Sequence, residues 1–367
     1  MTDVDIVIVG GGMAGASLGA HLAPHARVLI VEMEAAPGYH ATGRSVAFWQ
    51  ESYGGPAIQP LTSASGPLLW NPDPVLSDRP FLTPRRTLHI GRADSAAARD
   101  AMLTAWGGSI AMTPVDPHNL VPGLRPDWTI GLFEPSCCDI DVTALHQAYL
   151  AQVRRGGGRI AGGAALRSAR RDGGGWRIEA GGAAIACRIL VNAAGAWADE
   201  VARLCGVAPI GIMPLRRTVV QLRVPGLPSP DLPLVMDLEG RFYFKPEGAD
   251  RLWLTPHDET PSAPCDAAPE ELAVAQAIDR FTQVVDWPVA AVERKWAGLR
   301  SFAPDRAPVY GYDAEAPGFF WFAGQGGFGI QTAPAAALLG EALIRDVTPA
   351  AAVAGIDAGL YSPRRFR

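Results

Sequence analysis

The apolar positions at the start of the chain form short continuous runs separated by a glycine-rich turn. The first run covers residues 6–9; a turn over residues 10–15, a small-residue segment over 16–22 and a second run over 28–31 follow it. Continuous apolar runs are typical of strands buried on both faces of a parallel sheet. The pattern therefore predicts a strand–turn–helix–strand unit.

The same pattern returns at residues 189–195 and again at 319–344, where an apolar strand leads into a glycine-rich turn and a helix. Alternating strands dominate residues 214–300, with a helix near 270–281, and Asp141 is a candidate cap for another helix that ends at 156–158. The predicted fold class is α/β: a Rossmann-like, dinucleotide-binding domain with an inserted, antiparallel-sheet α+β substrate domain. We assign residues 1–82, 139–206 and 303–367 to the first domain, and 83–138 and 207–302 to the second.

The first turn carries the chemistry of a dinucleotide site. Gly10, Gly12 and Gly15 fit the G-x-G-x-x-G pattern, directly after a strand and at the start of a helix. The first glycine permits the tight turn, the second lets the backbone approach a pyrophosphate, and the third lets the helix pack on the strand. Glu32 ends the second strand, where its carboxylate can accept from ribose hydroxyls. The alternative is a turn whose glycines serve packing only. The strand, the helix, the spacing of the glycines and the acidic residue all agree, which favours dinucleotide binding.

The two later returns to the sheet favour FAD over NAD. NAD occupies one crevice and leaves the turn at 324–329 unexplained, whereas the helix after that turn could direct its positive end at a flavin ring. The alternative is a last helix that only packs on the sheet.

Composition excludes several other classes. The net charge of −5 argues against a nucleic-acid partner, and Lys245 and Lys295 are the only lysines, which argues against a P-loop or most Schiff-base schemes. The five cysteines lack metal-ligand spacing with histidine, so we expect free thiols and no metal site. We find neither a signal-peptide pattern nor a transmembrane run, so we expect a cytoplasmic protein, with peripheral attachment to the inner membrane as the alternative.

Five stretches together bring in a family: the N-terminal glycine motif with Glu32, and residues 38–45, 191–197, 296–305 and 324–332. In these the chain resembles the D-amino acid oxidase-like (DAO) family of FAD-dependent oxidoreductases along nearly its whole length, and bacterial D-arginine dehydrogenase within it. The resemblance implies a glutathione-reductase-like FAD domain, non-covalent FAD and oxidative deamination of a D-amino acid. The imino acid formed by hydride transfer to flavin N5 then reacts with water to give the 2-oxo acid and ammonia.

The resemblance also implies roles for single residues. Arg300 matches the arginine that holds the substrate carboxylate and Arg216 matches a second one, while we interpret Arg217 as part of a surface ion pair. Tyr53 and Tyr243 match tyrosines that flank the substrate, although Tyr243 could be an ordinary strand aromatic. The residues expected to contact FAD are Gly10, Gly12, Met13, Ala14, Gly15, Glu32, Met33, Thr42, Gly43, Arg44, Ser45, Ala47, Ala194, Gly195, Gly326, Gly327, Gly329, Ile330 and Gln331.

The expected substrate pocket departs from that of the arginine-specific relative. Thr87 replaces a glutamate and Phe48 replaces a histidine, so the partner for a cationic side chain is lost. Phe48, Leu234 and Met236, with Gly298, would make the pocket apolar. The expected substrates are therefore neutral or apolar D-amino acids.

Several alternatives stay open. Related sarcosine oxidases use a lysine near the flavin to promote reaction with oxygen. The corresponding residues 251–254 contain no lysine, so the resemblance favours a quinone or other carrier as electron acceptor over oxygen. A glycine- or sarcosine-type secondary-amine oxidase, a 2-hydroxy acid dehydrogenase and a non-catalytic flavin-binding subunit are the competing functions. His40 offers covalent FAD attachment as the minority interpretation, and the sequence does not predict an oligomeric state.

Overall fold

The structure, a computed structural model, describes residues 2–229 and 231–366. The strands are β1 (Thr2–Val9), β2 (Val28–Val31), β3 (Phe48–Trp49), β4 (Leu82–Pro84), β5 (Thr87–Gly91), β6 (Thr113–Val115), β7 (Ile130–Glu134), β8 (Cys138–Ile140), β9 (Arg159–Ala161), β10 (Leu166–Asp172), β11 (Gly175–Ala180), β12 (Ala183–Asn192), β13 (Met213–Arg223), β14 (Leu234–Asp237), β15 (Tyr243–Pro246), β16 (Arg251–Thr255), β17 (Thr260–Pro261), β18 (Ala291–Phe302), β19 (Val309–Tyr312), β20 (Phe319–Ala323) and β21 (Gln325–Gly326). The helices are α1 (Met13–Leu22), α2 (Gln59–Trp70), α3 (Ala96–Trp106), α4 (Val142–Arg155), α5 (Ala198–Leu204), α6 (Glu271–Thr282) and α7 (Ala333–Arg345).

The first sheet is the parallel one that the apolar runs predict. Its order is β10-β11-β12-β1-β2-β9, with β20 beside β12 and β19 beside β20. β1 pairs in parallel with both β2 and β12, and β12 pairs in parallel with β20. Helices α1, α4 and α7 pack on one face of this sheet through a core that includes Ile8, Leu18 and Leu339. The carboxyl ends of β1, β2 and β12 therefore lie at one edge, where ligands bind in such folds.

The second sheet is mainly antiparallel and has the order β21-β18-β13-β16-β15-β14-β5-β7-β6, with β17 on β13. β14 and β5 form a parallel pair within it. Helix α6 covers part of this sheet by burying Val274 and Phe281 in its core. The mixed arrangement confirms the predicted α/β class, with a parallel Rossmann-like sheet and a second, antiparallel one. A small third sheet, β3-β8-β4, completes the strands.

The chain alternates between the two large sheets. Strands of the first come from residues 2–31, 159–192 and 309–323, and those of the second from 87–134, 213–302 and 325–326. This alternation is consistent with an inserted domain, while the domain boundaries given above stay a prediction.

Two helices, α2 and α3, were not expected from the sequence. α2 has one proline in its first turn and Pro67 inside, which removes a backbone donor and obscures the helical pattern. α3 buries none of its residues, so it lacks the apolar face on which recognition of a helix depends.

Among the described residues, no helix has the length and apolarity needed to cross a bilayer. The same part of the chain contains no group of three or more histidine, cysteine or acidic side chains placed to hold a metal ion. The five cysteines are free, and all except Cys265 are buried.

Candidate active site

A cavity of about 340 Å³ begins at the carboxyl ends of β1, β2 and β12 and reaches the inner face of the second sheet. We call it the cofactor cavity. The residues predicted to contact the dinucleotide that line it are Gly10, Gly12, Met13, Ala14, Glu32, Met33, Thr42, Arg44, Ser45, Ala194, Gly195, Gly326, Gly327, Gly329 and Ile330. The structure thus brings together the three glycine-rich turns that lie far apart in the sequence.

The turn before α1 has little room for side chains. Gly10 has φ +105°, and a Cβ there would lie 2.5 Å from the carbonyl oxygen of Ala193. A Cβ on Gly15 would lie 1.9 Å from the oxygen of Gly10, so Gly15 packs against the turn instead of lining the cavity. Gly43 does not line the cavity either. Its amide donates to the carbonyl of Gly38 at 2.8 Å.

Two side chains fix the backbone of this turn. The Glu32 carboxylate accepts from the amide of Gly11 at 2.7 Å and from that of Glu34 at 2.9 Å. The Thr42 hydroxyl accepts from the amide of Met13 at 2.9 Å. Gly12 is the N-cap of α1 and supplies no side-chain cap, and the positive end of this helix faces the cavity.

A second, smaller pocket of about 30 Å³ adjoins this cavity, and we call it the inner pocket. Arg300 and Tyr243 line both spaces, whereas Phe48 and Tyr53 line the inner pocket. Arg300 Nη1 donates to the Tyr53 hydroxyl at 2.9 Å. Within the described part of the chain, Arg300 is the only charged side chain that lines the inner pocket. Ala47 and Gln331, predicted to contact the cofactor, also lie here.

Aromatic rings form the walls of the inner pocket. The Phe48 ring lies with its centroid 5.0 Å from that of Tyr53 and 5.6 Å from that of Tyr243. Phe328 closes the other side of Tyr53 at 5.2 Å. The pocket therefore combines a single cationic group with aromatic walls that carry two tyrosine hydroxyls.

The structure places Arg217 beside Arg300 and Arg216 away from it, whereas the sequence resemblance pointed to Arg216 as the second arginine. Arg216 forms an ion pair with Glu270, lines neither space, and lies on the opposite face of β13. Arg217 is 4% exposed and lines the cofactor cavity beside Arg300. The register explains this, because β13 pairs Leu215 with Arg300 and Arg217 with Gly298, so side chains at these positions share one face of the sheet.

Arg217 retains an unused donor. Its Nε donates to the carbonyl oxygen of Asp258 at 2.8 Å and its Nη2 donates to Glu259 at 3.3 Å. Its Nη1 is buried and has no hydrogen-bond partner among residues 2–229 and 231–366. A buried guanidinium donor without a partner is costly, and an anion in the adjoining cavity would satisfy it.

His257 lines neither space but contacts Tyr53, and sequence reasoning missed it. Its Nδ1 contacts the carbonyl oxygen of Gly240 at 2.5 Å, so Nδ1 must carry the proton and donate. Burial and the charges of Arg217 and Arg300 lower the pKa of His257 to about 3, so the ring is neutral and its Nε2 is an acceptor. That nitrogen lies 3.4 Å from the Tyr53 hydroxyl. The backbone of His257 has φ +58°, which a non-glycine residue rarely adopts and which no sequence pattern reveals.

The two tyrosines differ in acidity. Burial raises the pKa of Tyr53, but the guanidinium groups of Arg300 and Arg217 outweigh burial and bring it below its usual value. For Tyr243, burial prevails over the same arginines and its pKa is raised. Tyr53 is thus the more acidic hydroxyl beside Arg300.

The other expected pocket residues lie behind the wall or at its edge. Leu234 and Met236 pack beneath Phe48 and Tyr243 and line neither space. Gly298 lines the cofactor cavity, where a Cβ would touch the Arg44 side chain at 3.4 Å.

Thr87 is fully buried and points into a polar network instead of the pocket. Its hydroxyl donates to the Gln50 side chain at 3.2 Å. Gln50 Nε2 in turn donates to Glu134 at 2.9 Å, and Glu134 also accepts from Ser52 at 2.6 Å. Thr87 therefore supports the pocket from behind and does not contact a ligand in it.

Comparisons with known proteins extend this description. The sequence model of the family described as FAD dependent oxidoreductase (DAO) matches residues 5–342. The chain is 28% identical over 272 residues to the mitochondrial dimethylglycine dehydrogenase of Rattus norvegicus, a match that covers 69% of this chain and 31% of that protein. It is 28% identical over 233 residues to the hydrogen cyanide synthase subunit HcnC of Pseudomonas aeruginosa, covering 62% of this chain and 54% of the subunit. The chain thus spans about a third to a half of the curated relatives it matches.

Solved structures share the whole fold. Glycine oxidase from Geobacillus kaustophilus superposes with a TM-score of 0.86 at 22% identity, covering 99% of this chain and 98% of that one. L-proline dehydrogenase from P. horikoshii superposes with a TM-score of 0.85 at 18% identity, covering 100% and 98% of the two chains. At these identities the likeness establishes the fold alone.

Proposed function

The chain belongs to the DAO family of FAD-dependent oxidoreductases, and we propose that it oxidises the nitrogen-bearing carbon of a small neutral D-amino acid. The product is the imino acid, which water converts to the 2-oxo acid and ammonia. The D configuration and the kinship with D-arginine dehydrogenase stay predictions from the sequence resemblance. The activity of any longer protein that contains this chain is part of the same proposal.

The residues of the cofactor cavity fit FAD. Gly12 begins α1 at the cavity wall, which supplies backbone donors and the positive end of a helix for a pyrophosphate. A Cβ on Gly195, at φ +55°, would meet no atom within 4 Å, so the wall leaves space there. The Glu32 carboxylate lines the same cavity, where it can accept from a ribose hydroxyl. When bound, FAD accepts the hydride from the substrate carbon.

One observation carries the substrate class: Arg300, with Arg217 beside it, places guanidinium donors at the junction of the inner pocket and the cofactor cavity. A guanidinium binds a carboxylate through two parallel hydrogen bonds, which fixes both the position and the orientation of the attached carbon. The unused Nη1 of Arg217 adds a donor for the same anion. An α-amino acid held in this way presents its nitrogen-bearing carbon toward the cofactor cavity.

The remaining pocket residues orient the substrate and exclude water. Tyr53 and Tyr243 flank Arg300, and Phe48 covers the side-chain end. If the substrate binds as the neutral amine, hydride transfer needs no base at the reacting carbon. The loss of hydride then produces a protonated imine, which water hydrolyses after release.

Side-chain selectivity follows from the pocket wall. The described lining of the inner pocket includes no acidic side chain to pair with a cationic substrate group, and the Phe48 ring forms part of the wall. A buried cation without a partner costs several kcal/mol. We therefore propose substrates with neutral side chains. Thr87 has no direct contact with them, because it lies behind the pocket wall.

A glycine- or N-methylglycine-type oxidase is the second candidate. The inner pocket of about 30 Å³ favours a substrate with little or no side chain. The names of the relatives, glycine oxidase and dimethylglycine dehydrogenase, agree with this alternative. For the electron acceptor we propose a quinone or other carrier, with oxygen as the alternative, and a cytoplasmic location stays an expectation.

The test is an anaerobic panel. Purified protein that contains FAD is mixed with D- and L-alanine, D-leucine, D-phenylalanine, D-arginine, glycine and sarcosine, and bleaching of the flavin absorbance is followed. We expect faster bleaching by the neutral D-amino acids than by D-arginine, and the fastest by D-alanine, because the inner pocket is small. Fastest bleaching by glycine or sarcosine would replace the proposal by the second candidate, and no bleaching by any amine would indicate a flavin-binding subunit.

The same panel with Arg300→Met tests the binding mode. We expect bleaching by every amino acid to slow at least about a hundredfold, because a charge-assisted carboxylate contact is lost. Unchanged bleaching in this variant would contradict the assignment of the carboxylate site. Oxygen uptake and peroxide release, compared with reduction of a soluble quinone, then separate the two kinds of acceptor.

A further inference from the structure

Each of the two peptide groups that flank Gly11 is held by a hydrogen bond to a side chain. The amide of Gly11 belongs to the peptide between Gly10 and Gly11, and it donates to Glu32 at 2.7 Å. The carbonyl of Gly11 belongs to the next peptide, and it contacts Nε2 of His146 at 2.9 Å. Glu32 was expected from the sequence, whereas nothing singled out His146.

The contact of His146 is a directed hydrogen bond. A carbonyl oxygen can only accept, so Nε2 of His146 carries the proton and donates. The side chain is 4% exposed, and burial lowers the pKa of His146, so the imidazole is neutral with its single N–H committed to Gly11. The ring occupies the space beside Gly38, where a Cβ would lie 2.8 Å from His146 Cε1.

A hydrogen bond that holds the Gly11 carbonyl also fixes the direction of the Gly12 N–H in the same peptide group. In a planar trans peptide the C=O of Gly11 and the N–H of Gly12 point in opposite directions. Gly12 lines the cofactor cavity, while His146 lies outside it. The hydrogen bond from His146 therefore orients the peptide between Gly11 and Gly12 relative to the cavity wall.

We propose that His146 is a positioning residue for FAD, which acts through the Gly11 carbonyl to hold the Gly12 amide ready for the pyrophosphate. Helix α4 packs on α1, so His146 also couples the position of α4 to the shape of the turn. Val153, one of the buried residues of the same helix, packs into the same core without touching the turn, which makes it a control for packing alone.

The test compares His146→Gln with His146→Met. The two substituted side chains have similar length and volume, but only glutamine can donate to the carbonyl. FAD is removed, and the dissociation constant for added FAD is measured by flavin fluorescence, together with the melting temperature of the apoprotein. We expect His146→Met to weaken FAD binding about tenfold and His146→Gln to stay within about threefold of the wild type.

Val153→Ala is the matched control, because it should lower the melting temperature of the apoprotein without changing the FAD dissociation constant. Equal loss of FAD affinity in the Gln and Met variants, or wild-type affinity in His146→Met, would overturn the proposal. If the variants do not fold, ¹⁵N shifts of labelled histidines in the wild-type protein decide it: we expect the Nε2–H tautomer for His146, and the Nδ1–H tautomer would overturn the assignment.

Discussion

The two ends of the cofactor cavity present hydrogen-bond donors of different kinds. At the glycine turn the donors are backbone amides, oriented by Glu32 and Thr42, which lie 21 and 29 residues from the amides they hold. At the inner pocket the donors are side chains, and the contact between Tyr53 and Arg300 joins residues 247 positions apart. The first end is a local structure, whereas the second exists only once both sheets have met.

The two ends also differ in electrostatics. The glycine turn presents neutral amides and the end of a helix, and the Glu32 carboxylate beside it accepts from two of the amides. The pocket brings Arg217 and Arg300 close together, and burial with the nearby charge of Arg300 lowers the pKa of Arg217. An anion would therefore stabilise the pocket end, with its two neighbouring guanidinium groups, more than it would stabilise the glycine turn. Changes at the two ends should have separable effects, on turnover at the pocket and on FAD retention at the turn.

The largest expected effect comes from Arg217→Met, compared with Arg216→Met on the next position of the same strand. Removing one buried charge of a binding pair costs about 3–5 kcal/mol, so we expect kcat/KM for the best amino acid to fall roughly a thousandfold. Arg216 pairs with the exposed Glu270 and lines neither the cofactor cavity nor the inner pocket, so its variant should stay within about threefold of the wild type. Steady-state kinetics on both variants, with FAD content measured in each, check this.

A similar loss in both arginine variants would contradict the assignment of the two faces of β13. A loss of FAD from Arg217→Met would contradict the expectation that changes at the pocket affect turnover and not FAD retention.

These arginines also show what sequence reasoning could and could not establish. The strand–turn–helix unit, the cap at Asp141 and the return strands were predicted because their patterns are local, and Asp141 does accept from the amide of Ala144. Arg216 and Arg217 are adjacent, and the choice between them depends on which face of β13 meets the cavity. That face is set by pairing with β18, some 80 residues later, so one position of register reverses it.

The remaining differences have the same cause. His257 needs a left-handed backbone and the carbonyl of Gly240 to face Tyr53, and His146 needs the packing of α4 on α1. Thr87 was placed in the pocket by resemblance, but the position of Gln50 turns it away. Each of these orientations results from tertiary contacts that no spacing in the sequence encodes.

At the turn end, Glu32→Gln should weaken FAD binding with little effect on the pocket. The carboxylate accepts from two amides, and an uncharged amide side chain can replace only one of these contacts. Hydrogen bonds to charged groups contribute about 1.5–3 kcal/mol, so we expect the FAD dissociation constant to rise about thirtyfold. A fluorescence titration measures it. At saturating FAD, kcat should equal that of the wild type, and a lower kcat there would mean that the two ends are coupled.

Gly327→Ala tests the junction between the two ends with a smaller change. A Cβ at this position would lie 2.7 Å from Nη1 of Arg300, so the guanidinium must move. We expect KM to rise about tenfold, since a displaced fork loses part of its paired geometry. Binding of a simple carboxylate inhibitor should weaken by the same factor, while FAD affinity stays near wild type. If FAD affinity falls and inhibitor binding does not, the glycine serves the cofactor instead of Arg300.

The smallest effect concerns His257 and the pH dependence of stability. Because its pKa is about 3 in the folded protein and about 6.5 when exposed, the unfolded chain binds a proton between these values that the folded one does not. The wild type should therefore lose stability as the pH falls from 7 to 5, by on the order of 1–2 kcal/mol more than His257→Gln, which cannot titrate. Melting temperatures of both proteins at pH 7 and pH 5 measure the difference. A parallel decline in the two would mean that the ring is protonated in the folded state, and Tyr53 would then have no acceptor at this nitrogen.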